Sequence, residues 1–343
     1  MRKKVLLISG VVAAILLIVG SVFASVYYID NRMANFSQQE ILYVYPDMSS
    51  QRVLETLDSI VFKPRSLARC FEKENVSSKI KPGRYVIKPE FTSIYVARML
   101  NFGWQTPQNM TLSGTIRNKE VLAKKISNQM MVDSASVASF LDSADSLSRY
   151  GFTPENVFAL FLPDTYQMYW TATVSEIFDR MKKEYDAFWT PERLAKAKEQ
   201  KLSQMQVSII ASIVSGETLQ AFEYPKIAGV YLNRYRKRMR LQADPTVAFC
   251  YGYTLDRILK KHLSIDSPYN TYKYAGLPPA PINVPPKACI DAVLNPDKHG
   301  YLYFCASPEF DGTHRFAVSY NDHLKNARAF QRALTAKRKA TQN

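Results

Sequence analysis

The stretch SQMQVSIIASIVSGET, residues 203–218, carries the strongest signal for fold and chemistry in this chain of 343 residues. A serine opens it, and apolar residues then recur at the spacing of one helical face, which predicts a helix over the whole stretch. Ile210, Ile213 and Val214 lie on that face, and Glu217 follows them by seven, four and three residues. The carboxyl group of Glu217 is therefore predicted to point with the apolar stripe.

Withdrawal from water makes Glu217 a candidate general acid. Burial penalises the charged form of a carboxyl group and raises its pKa, which keeps the group protonated near neutral pH. The opposing interpretation is that the helix ends at Gly216 and that Glu217 caps a neighbouring segment or pairs with an arginine. Spacing alone leaves both open. Cleavage of a glycosidic bond usually takes a second carboxylate, for which the chain offers Glu223, Asp244 and Asp164.

The wider pattern predicts an α+β fold in two parts. Residues 41–110 form a small α+β module, and from residue 111 the chain becomes mainly helical. Six prolines make 264–286 an ordered loop, because a helix or central strand would not tolerate them. A β-hairpin is predicted at 301–318. The predicted helices are 49–61, 63–73, 93–100, 119–131, 173–188, 191–201, 203–218 and 225–240, with a further helical region up to residue 149 and a terminal helix and tail over 327–343. A strand is predicted at 41–45, a turn and a strand over 81–87, and another strand from residue 111.

An apolar run near the amino terminus predicts a membrane anchor. Residues 5–28 carry no charge and would span about 36 Å as a helix, enough to cross a bilayer. The alternative, a cleaved signal peptide, would have a shorter apolar core. Arg2, Lys3 and Lys4 should stay in the cytoplasm. We predict a cytoplasmic tip with a transmembrane helix (1–29), a tether (30–40), the small module (41–110) and a larger domain carrying Glu217 (111–340), with everything after the anchor outside the cytoplasm.

The chain is strongly basic. Lysine and arginine outnumber aspartate and glutamate by 45 to 30, which gives a formal net charge of +15. Such an excess either meets an anionic partner or lies scattered over solvated surfaces. The densest cluster is at 234–240, where the residues spread over several helix faces and indicate a solvated surface; the functional alternatives are binding of anionic glycan, lipid head groups or nucleic acid. Because most of the chain is predicted to be exported, nucleic acid is not expected as a partner.

No pattern in the sequence indicates a metal or a cofactor. Cys70, Cys250, Cys289 and Cys305 lack metal-ligand spacing, as do the four histidines. No phosphate-binding glycine loop or serine-hydrolase motif occurs. The cysteines are predicted to be plain core residues, with one disulfide as the alternative in an oxidising compartment. We therefore expect no metal site and no cofactor.

The proline-rich loop contains a candidate sugar-binding segment, Tyr269-Asn270-Thr271-Tyr272. Its aromatic faces, amide and hydroxyl groups are the combination that holds sugars through stacking and hydrogen bonds. Aromatic residues in such a loop serve equally often in packing, so this alternative stays open.

Five motifs follow one another along the chain: LPDTY (162–166), ASIVSGET (211–218), IAGVYLNR (227–234), LQADPTV (241–247), and SPYNTY (267–272) leading to GLPPAPI (276–282). In this order and spacing the chain resembles the endolytic murein transglycosylase, or YceG-like, family over roughly residues 39–332. The small module around residues 81–103 is similar, more weakly, to the LysM-like subdomain of that family.

The resemblance implies a single-pass inner-membrane enzyme that cuts nascent peptidoglycan strands internally, with its catalytic glutamate at Glu217. In such lytic chemistry one carboxyl group acts first as acid and then as base, and a 1,6-anhydro-muramyl end results. Peptidoglycan strands, the membrane and peptidoglycan synthases are the implied partners. The implied cleft residues that hold glycan or orient the acid are Glu223, Asn233, Arg234, Gln242, Asp244, Thr246, Tyr269, Asn270 and Tyr272.

Two other functions compete with this one. The first is a hydrolase on the same glycan, using Glu217 with Glu223 or Asp244. The second is a membrane-anchored scaffold that binds glycan through the LysM-like module and has no catalytic activity.

Overall fold

The computed structural model describes residues 2–342, and within them the chain divides into two compact units. The first unit holds the described residues up to Asn109 together with Gln167–Ala172, and the second holds Met110–Tyr166 and the chain from Thr173 onward. Helices dominate, and the sheets have only two strands each. The predicted α+β class is confirmed. The predicted domain boundaries stay predictions.

The first unit begins with a long helix and continues as a small α+β module. Its antiparallel sheet pairs β1 with β2, in a register that places Leu42 opposite Tyr85 and Val44 opposite Gly83. The strand that follows the module, β3, leads into the second unit. The elements are α1 (Arg2–Asn31), β1 (Glu40–Val44), α2 (Ser50–Leu57), α3 (Pro64–Lys73), α4 (Val76–Lys79), β2 (Gly83–Ile87), α5 (Ser93–Phe102) and β3 (Gln108–Leu112).

Helix α1 is long and apolar enough to cross a membrane over Leu6–Asn31, and its most apolar 18 residues are not buried in the protein. Its end packs on α3 and α5, where Asp30 accepts hydrogen bonds from Ser66 at 2.6 Å and from Arg69 at 2.7 Å. An apolar amino-terminal helix is therefore confirmed, and it is compatible with a single-pass anchor. Met1 and the side chains of Arg2 and Lys3, on which the predicted orientation rests, lie outside the described residues.

The module has its own core and well-capped helices. Ser49 caps α2 and Thr92 caps α5 through side-chain oxygens that accept backbone N–H groups. Leu57, Tyr85 and Leu100 are completely buried among the other apolar residues of these elements. The likeness of this module to LysM stays a prediction.

The second unit is built around buried helices. In chain order its elements are α6 (Lys119–Ser127), α7 (Ser134–Asp142), α8 (Ala144–Ser148), β4 (Asp164–Met168), α9 (Val174–Phe188), α10 (Pro191–Glu199), α11 (Gln204–Glu217), α12 (Tyr224–Arg236), α13 (Asp244–Cys250), α14 (Lys287–Leu294), β5 (Tyr303–Ala306), β6 (His314–Ala317) and α15 (Tyr320–Gln342). β4 pairs with β3, and β5 and β6 form the predicted antiparallel hairpin. α11 packs against α12, α13 and α14.

Several elements differ from the sequence-based expectation. β4, α13 and α14 were not predicted, and α15 begins at Tyr320 rather than at 327. Helix α12 stops at Arg236, short of the predicted 240, and Arg238 takes a left-handed conformation with φ of 56°. Helix α14 starts directly after the proline pair that ends the loop, because proline is tolerated at the start of a helix and not in its interior. All four cysteines are free, so the disulfide alternative is wrong.

Candidate active site

Glu217 is the last residue of α11, and the sequence explains why the helix runs so far. Ser203 and Gln206 cap its first turn reciprocally, through bonds of 3.2 and 2.9 Å between side chains and backbone N–H groups. Ile210 and Ile213, on the face predicted to be apolar, are completely buried. Thr218 then turns to extended backbone, with φ of −146°. The helix therefore delivers the Glu217 carboxyl group on its buried side.

The Glu217 carboxyl group is poised to exchange a proton near neutral pH. Burial raises its pKa to about 7, and the negative charge of Asp244 adds to that rise. A hydrogen bond from Tyr231 and the positive charge of Arg234 lower the pKa of Glu217. The carboxyl-terminal end of a helix also disfavours a negative charge. Burial outweighs the stabilising contacts, so Glu217 can serve both as an acid and, once ionised, as a base.

Tyr231 is a site residue that the sequence interpretation missed. Its hydroxyl donates a hydrogen bond of 2.5 Å to Oε1 of Glu217, and burial raises the pKa of this phenol well above its usual value, so that it stays a donor. Oε2 of Glu217 has no hydrogen-bond partner among residues 2–342. The pair therefore leaves one carboxyl oxygen for a substrate. Tyr231 lies in the predicted IAGVYLNR motif, but an aromatic residue on an apolar helix face indicates core packing rather than chemistry.

Two cavities meet at Glu217. The larger, of about 560 Å³, extends toward His314 and Phe330, and the smaller, of about 260 Å³, extends toward Asp244 and Tyr253. Both share a wall that contains Glu217 and is completed by Thr115, Arg117, Ser215 and Gly216. The carboxyl group thus lies at the middle of a cleft with room on both of its sides.

A close contact between helices sets the geometry of the smaller cavity. A Cβ atom on Gly216 would lie 2.7 Å from Cβ of Pro245, a distance that real side chains do not tolerate. Only glycine lets α11 approach the first turn of α13 this closely. The contact carries Asp244, at the start of α13, into the cleft beside Glu217.

Asp244 and Tyr272, both predicted, are brought to this cleft. The Tyr272 hydroxyl donates a 2.6 Å hydrogen bond to Oδ1 of Asp244. The pKa of this phenol is raised, by burial first and by Asp244 second, and Glu217 contributes to the rise. Asp244 itself is exposed, so it is available to a bound ligand.

The proline-rich loop is fastened to α11 by a second set of contacts. The amide of Asn283 donates to the Ser212 carbonyl at 2.8 Å, and its oxygen accepts from the Ser215 hydroxyl at 3.0 Å. The Ser212 hydroxyl accepts from the backbone of Ile282 at 3.1 Å. Asn283 is nearly completely buried. These bonds hold the loop as a fixed wall of the cleft, as predicted for an ordered loop.

Asn233 and Arg234 do not face the cleft as binding residues. Asn233 donates to the carbonyls of His299 and Tyr301 at 2.9 and 3.1 Å. Arg234 donates to the carbonyls of Leu302 and Leu241 at 2.6 Å each and is only 7% exposed. Arg234 is therefore not part of an exposed basic surface at 234–240, because its guanidinium is bound to backbone carbonyls.

Two further candidates, Thr246 and Asn270, bond to other residues of the protein rather than facing the cleft, and a third, Gln242, stays a prediction. Thr246 is buried and bonded to the Thr271 hydroxyl at 2.8 Å. Asn270 is buried and donates to the carbonyls of Leu263 and Ile265 at 2.9 and 2.8 Å. Gln242 donates its backbone N–H to the Thr271 carbonyl at 3.1 Å, while its side chain is exposed and available to a ligand. The amide and hydroxyls that suggested sugar contacts therefore serve in loop structure.

Glu223 is not available as a second catalytic carboxylate. It is 4% exposed, its Oε1 accepts the backbone N–H of His314 at 2.9 Å, and its Oε2 lies 2.8 Å from Nδ1 of the same residue. A carboxylate held this way has no oxygen left to activate water. Asp164 is likewise engaged, in an ion pair with Lys287.

Tyr269 lies in a different cavity from Glu217. Its ring packs on Phe249 with centroids 4.6 Å apart, and both rings line a cavity that does not contain the acid. Within residues 2–342 no group of three or more histidine, cysteine or acidic side chains is arranged to hold a metal ion.

Comparisons with known proteins agree with this architecture. The model of the YceG-like family matches residues 42–329. A crystal structure of a YceG-like protein from Listeria monocytogenes superposes with a TM-score of 0.55 at 25% identity, over 84% of this chain and 98% of that one.

Two curated relatives carry the name endolytic murein transglycosylase. The protein from Bacillus subtilis is 42% identical over 128 residues, which are 37% of this chain and 35% of the relative. The protein from Streptococcus pneumoniae strain D39 is 30% identical over 169 residues, 48% of this chain and 30% of the relative. The chain thus spans about a third of the length of the curated relatives it matches.

Proposed function

Because the chain belongs to the YceG-like family, we propose that it is a lytic transglycosylase that cuts peptidoglycan strands internally, with Glu217 as acid and base. The observation that carries this proposal is a single carboxyl group with a pKa of about 7 at the junction of two cavities. The names of the curated relatives support it.

The reaction needs only one carboxyl group that changes its role. Protonated Glu217 gives its proton to the oxygen between N-acetylmuramic acid and N-acetylglucosamine, and the bond from that oxygen to the muramyl C1 breaks. The muramyl C6 hydroxyl then bonds to C1, and ionised Glu217 accepts the hydroxyl proton. The products are a free hydroxyl on one strand and a 1,6-anhydro-muramyl end on the other. A pKa near the working pH suits both steps.

Tyr231 has a positioning role in this scheme. Its bond to Oε1 fixes the plane of the carboxyl group and directs Oε2 to the substrate. The same bond stabilises the carboxylate that forms once the proton has left, and this makes Glu217 a stronger acid than burial alone would allow.

The shape of the cleft favours cutting within a strand. Space continues on both sides of Glu217, so that sugars can bind before and after the scissile bond. An enzyme that removes terminal units would instead need a wall near the acid to stop the strand end.

The amino-terminal helix supports a location at the membrane. We place α1 in the inner membrane, the amino terminus in the cytoplasm and the unit carrying Glu217 on the extracytoplasmic side, where peptidoglycan is assembled. Peptidoglycan synthases are the partners that such an enzyme would meet, since its cut ends a strand that they extend.

A hydrolase remains the second candidate, on one observation. Asp244 is exposed and lines the same cavity as Glu217, the arrangement needed to activate a water molecule. The engagement of Glu223 with His314 disfavours the other version of this hypothesis.

Product analysis separates these functions. Full-length wild-type protein in detergent, and a Glu217→Gln variant, are incubated with purified glycan strands, and the ends are identified by mass spectrometry. We expect ends lighter than reducing ends by one water molecule from the wild type, and none from the variant. Reducing ends would favour the hydrolase. Identical outcomes with wild type and variant would favour the scaffold.

A further inference from the structure

A third cavity, of about 480 Å³, adjoins the cleft that contains Glu217. It shares Arg117 and Tyr253 with the smaller cavity of the cleft. Phe158, Phe249 and Tyr269 supply apolar surface to it. The two spaces therefore border the same two side chains, so that a group attached to a substrate at Glu217 lies next to the third cavity.

Helix α13 has one residue in each of the two spaces, so its length gives the distance between them. Its first residue, Asp244, lines the cleft with Glu217, and Phe249 lines the third cavity. Five residues of helix cover about 8 Å along the axis. An extended peptide covers about 3.4 Å per residue, so a peptide of two or three residues attached to a sugar in the cleft bridges this distance.

The charges of the third cavity suit a ligand that carries both signs. The Arg117 guanidinium forms no ion pair with a carboxylate within the described residues, and it lies 5.0 Å from the centre of the Tyr253 ring. The Glu155 carboxylate accepts a 2.6 Å hydrogen bond from Thr153 and has no cation within ion-pair distance in the described chain. Lys119, in the same cavity, is already paired with Asp142.

Arg117 and Glu155 are both exposed, so each is accessible to a ligand, and a neutral sugar would form an ion pair with neither. A short peptide with a free carboxylate and a free amine would compensate each of them and would place its aliphatic groups against Phe249 and Tyr269. The peptides on the muramyl residues of peptidoglycan have this chemistry, and they branch from the sugar ring that the lytic reaction attacks.

Resting on the proposed function, we propose that the third cavity binds the peptide carried by the muramyl residue at the cleavage site. Arg117 binds a peptide carboxylate at the cleft end, Glu155 binds an amine farther in, and the aromatic surface holds the aliphatic part. The enzyme then prefers strands that still carry their peptides over strands from which the peptides have been removed.

The test measures binding without turnover. Full-length Glu217→Gln protein in detergent is titrated calorimetrically with N-acetylglucosaminyl-N-acetylmuramyl peptide and with the same disaccharide stripped of its peptide. We expect the peptide-bearing ligand to bind about fivefold more tightly, the range of an exposed ion pair. Adding Glu155→Gln should reduce that preference by weakening the binding of the peptide-bearing ligand alone, while Arg117 and the aromatic surface keep part of it. Glu199→Gln, which alters an exposed carboxylate on α10, should preserve it.

Three outcomes would overturn the proposal. The first is equal affinity for the two ligands, which includes no binding of either. The second is a preference that Glu155→Gln leaves unchanged. The third is equal weakening of both ligands by Glu155→Gln, which would assign the cavity to the glycan itself. The titration uses a variant that does not turn over, so its failure leaves the product analysis untouched. If the product analysis detects no anhydro ends, the binding preference can still be measured.

Discussion

Replacing Tyr231 with phenylalanine removes the one hydrogen bond that residues 2–342 donate to the carboxyl group of Glu217, the proposed catalytic acid. The substitution removes the hydroxyl that donates to Oε1 of Glu217 at 2.5 Å. It keeps the ring, which packs edge-on against Phe304 with centroids 6.0 Å apart. The change therefore alters the energy of the carboxylate while the surrounding packing stays in place.

The size of the effect follows from the bond that is lost. A hydrogen bond to a charged group contributes about 1.5–3 kcal/mol, and about 1.4 kcal/mol corresponds to one pKa unit. Because this bond favours the charged form of Glu217, its loss raises the pKa from about 7 to about 8–9. The first step needs the protonated acid, so the alkaline limb of the pH–rate profile moves upward by about 1–2 pH units. The plateau rate falls, since the acid is weaker.

The assay is the release of anhydro-ended products, followed from about pH 5 to about pH 10. Tyr235→Phe is the matched control, because this tyrosine lies on the same helix and its hydroxyl accepts a bond from Gln206 at 3.3 Å. The control should leave the alkaline limb in place. An alkaline limb that stays fixed, or moves to lower pH, in Tyr231→Phe would refute the assigned role of the hydrogen bond.

Three further predictions concern the same site. Asp244→Asn removes a negative charge that raises the pKa of Glu217, so the alkaline limb should move to lower pH, by less than about 1 unit; an upward shift in the same profile would contradict this. Glu217→Gln should stabilise the protein at pH 8 by on the order of 3 kcal/mol in denaturant unfolding. The reason is that a carboxyl group whose pKa rises from 4.5 to about 7 on folding destabilises the folded state fully above pH 7 and not at all below about pH 4.5. A stability gain from Glu217→Gln at pH 4 equal to the gain at pH 8 would contradict this. Gly216→Ala should cost about 1–3 kcal/mol and most of the activity, since its Cβ would lie 2.7 Å from Pro245, whereas Gly300→Ala, with nothing closer than 3.9 Å, should change little in the same unfolding experiment.

The part of the site predicted from sequence is the part that depends on local periodicity. Ser203 starts the helix and the spacing from Ile210 to Glu217 fixes the side on which the carboxyl group lies, because both are properties of one continuous segment. The hairpin and the ordered loop follow from glycine and proline in the same way. Helix α14 was not predicted, because the prolines before it exclude a helix in the loop but do not indicate that one begins after them.

The sequence could not indicate which polar residues face a ligand. Arg234 and Asn233 bind backbone carbonyls up to 68 residues away along the chain. The Asn270 amide donates its hydrogen bonds to carbonyls of its own loop. These partners are set by tertiary packing, and their motifs look the same whether the side chain binds sugar or supports the fold. Tyr231 shows the converse, since an aromatic residue on a buried helix face gave no sign of its bond to Glu217.

In the proposed reaction the muramyl C6 hydroxyl, and not water, bonds to C1 after Glu217 has given up its proton. The most direct measurement is to run the reaction in water labelled with heavy oxygen and to analyse the new muramyl ends by mass spectrometry. We expect anhydro ends that carry no labelled oxygen from the wild type and no new ends from Glu217→Gln. Reducing ends that carry labelled oxygen at C1 would contradict it.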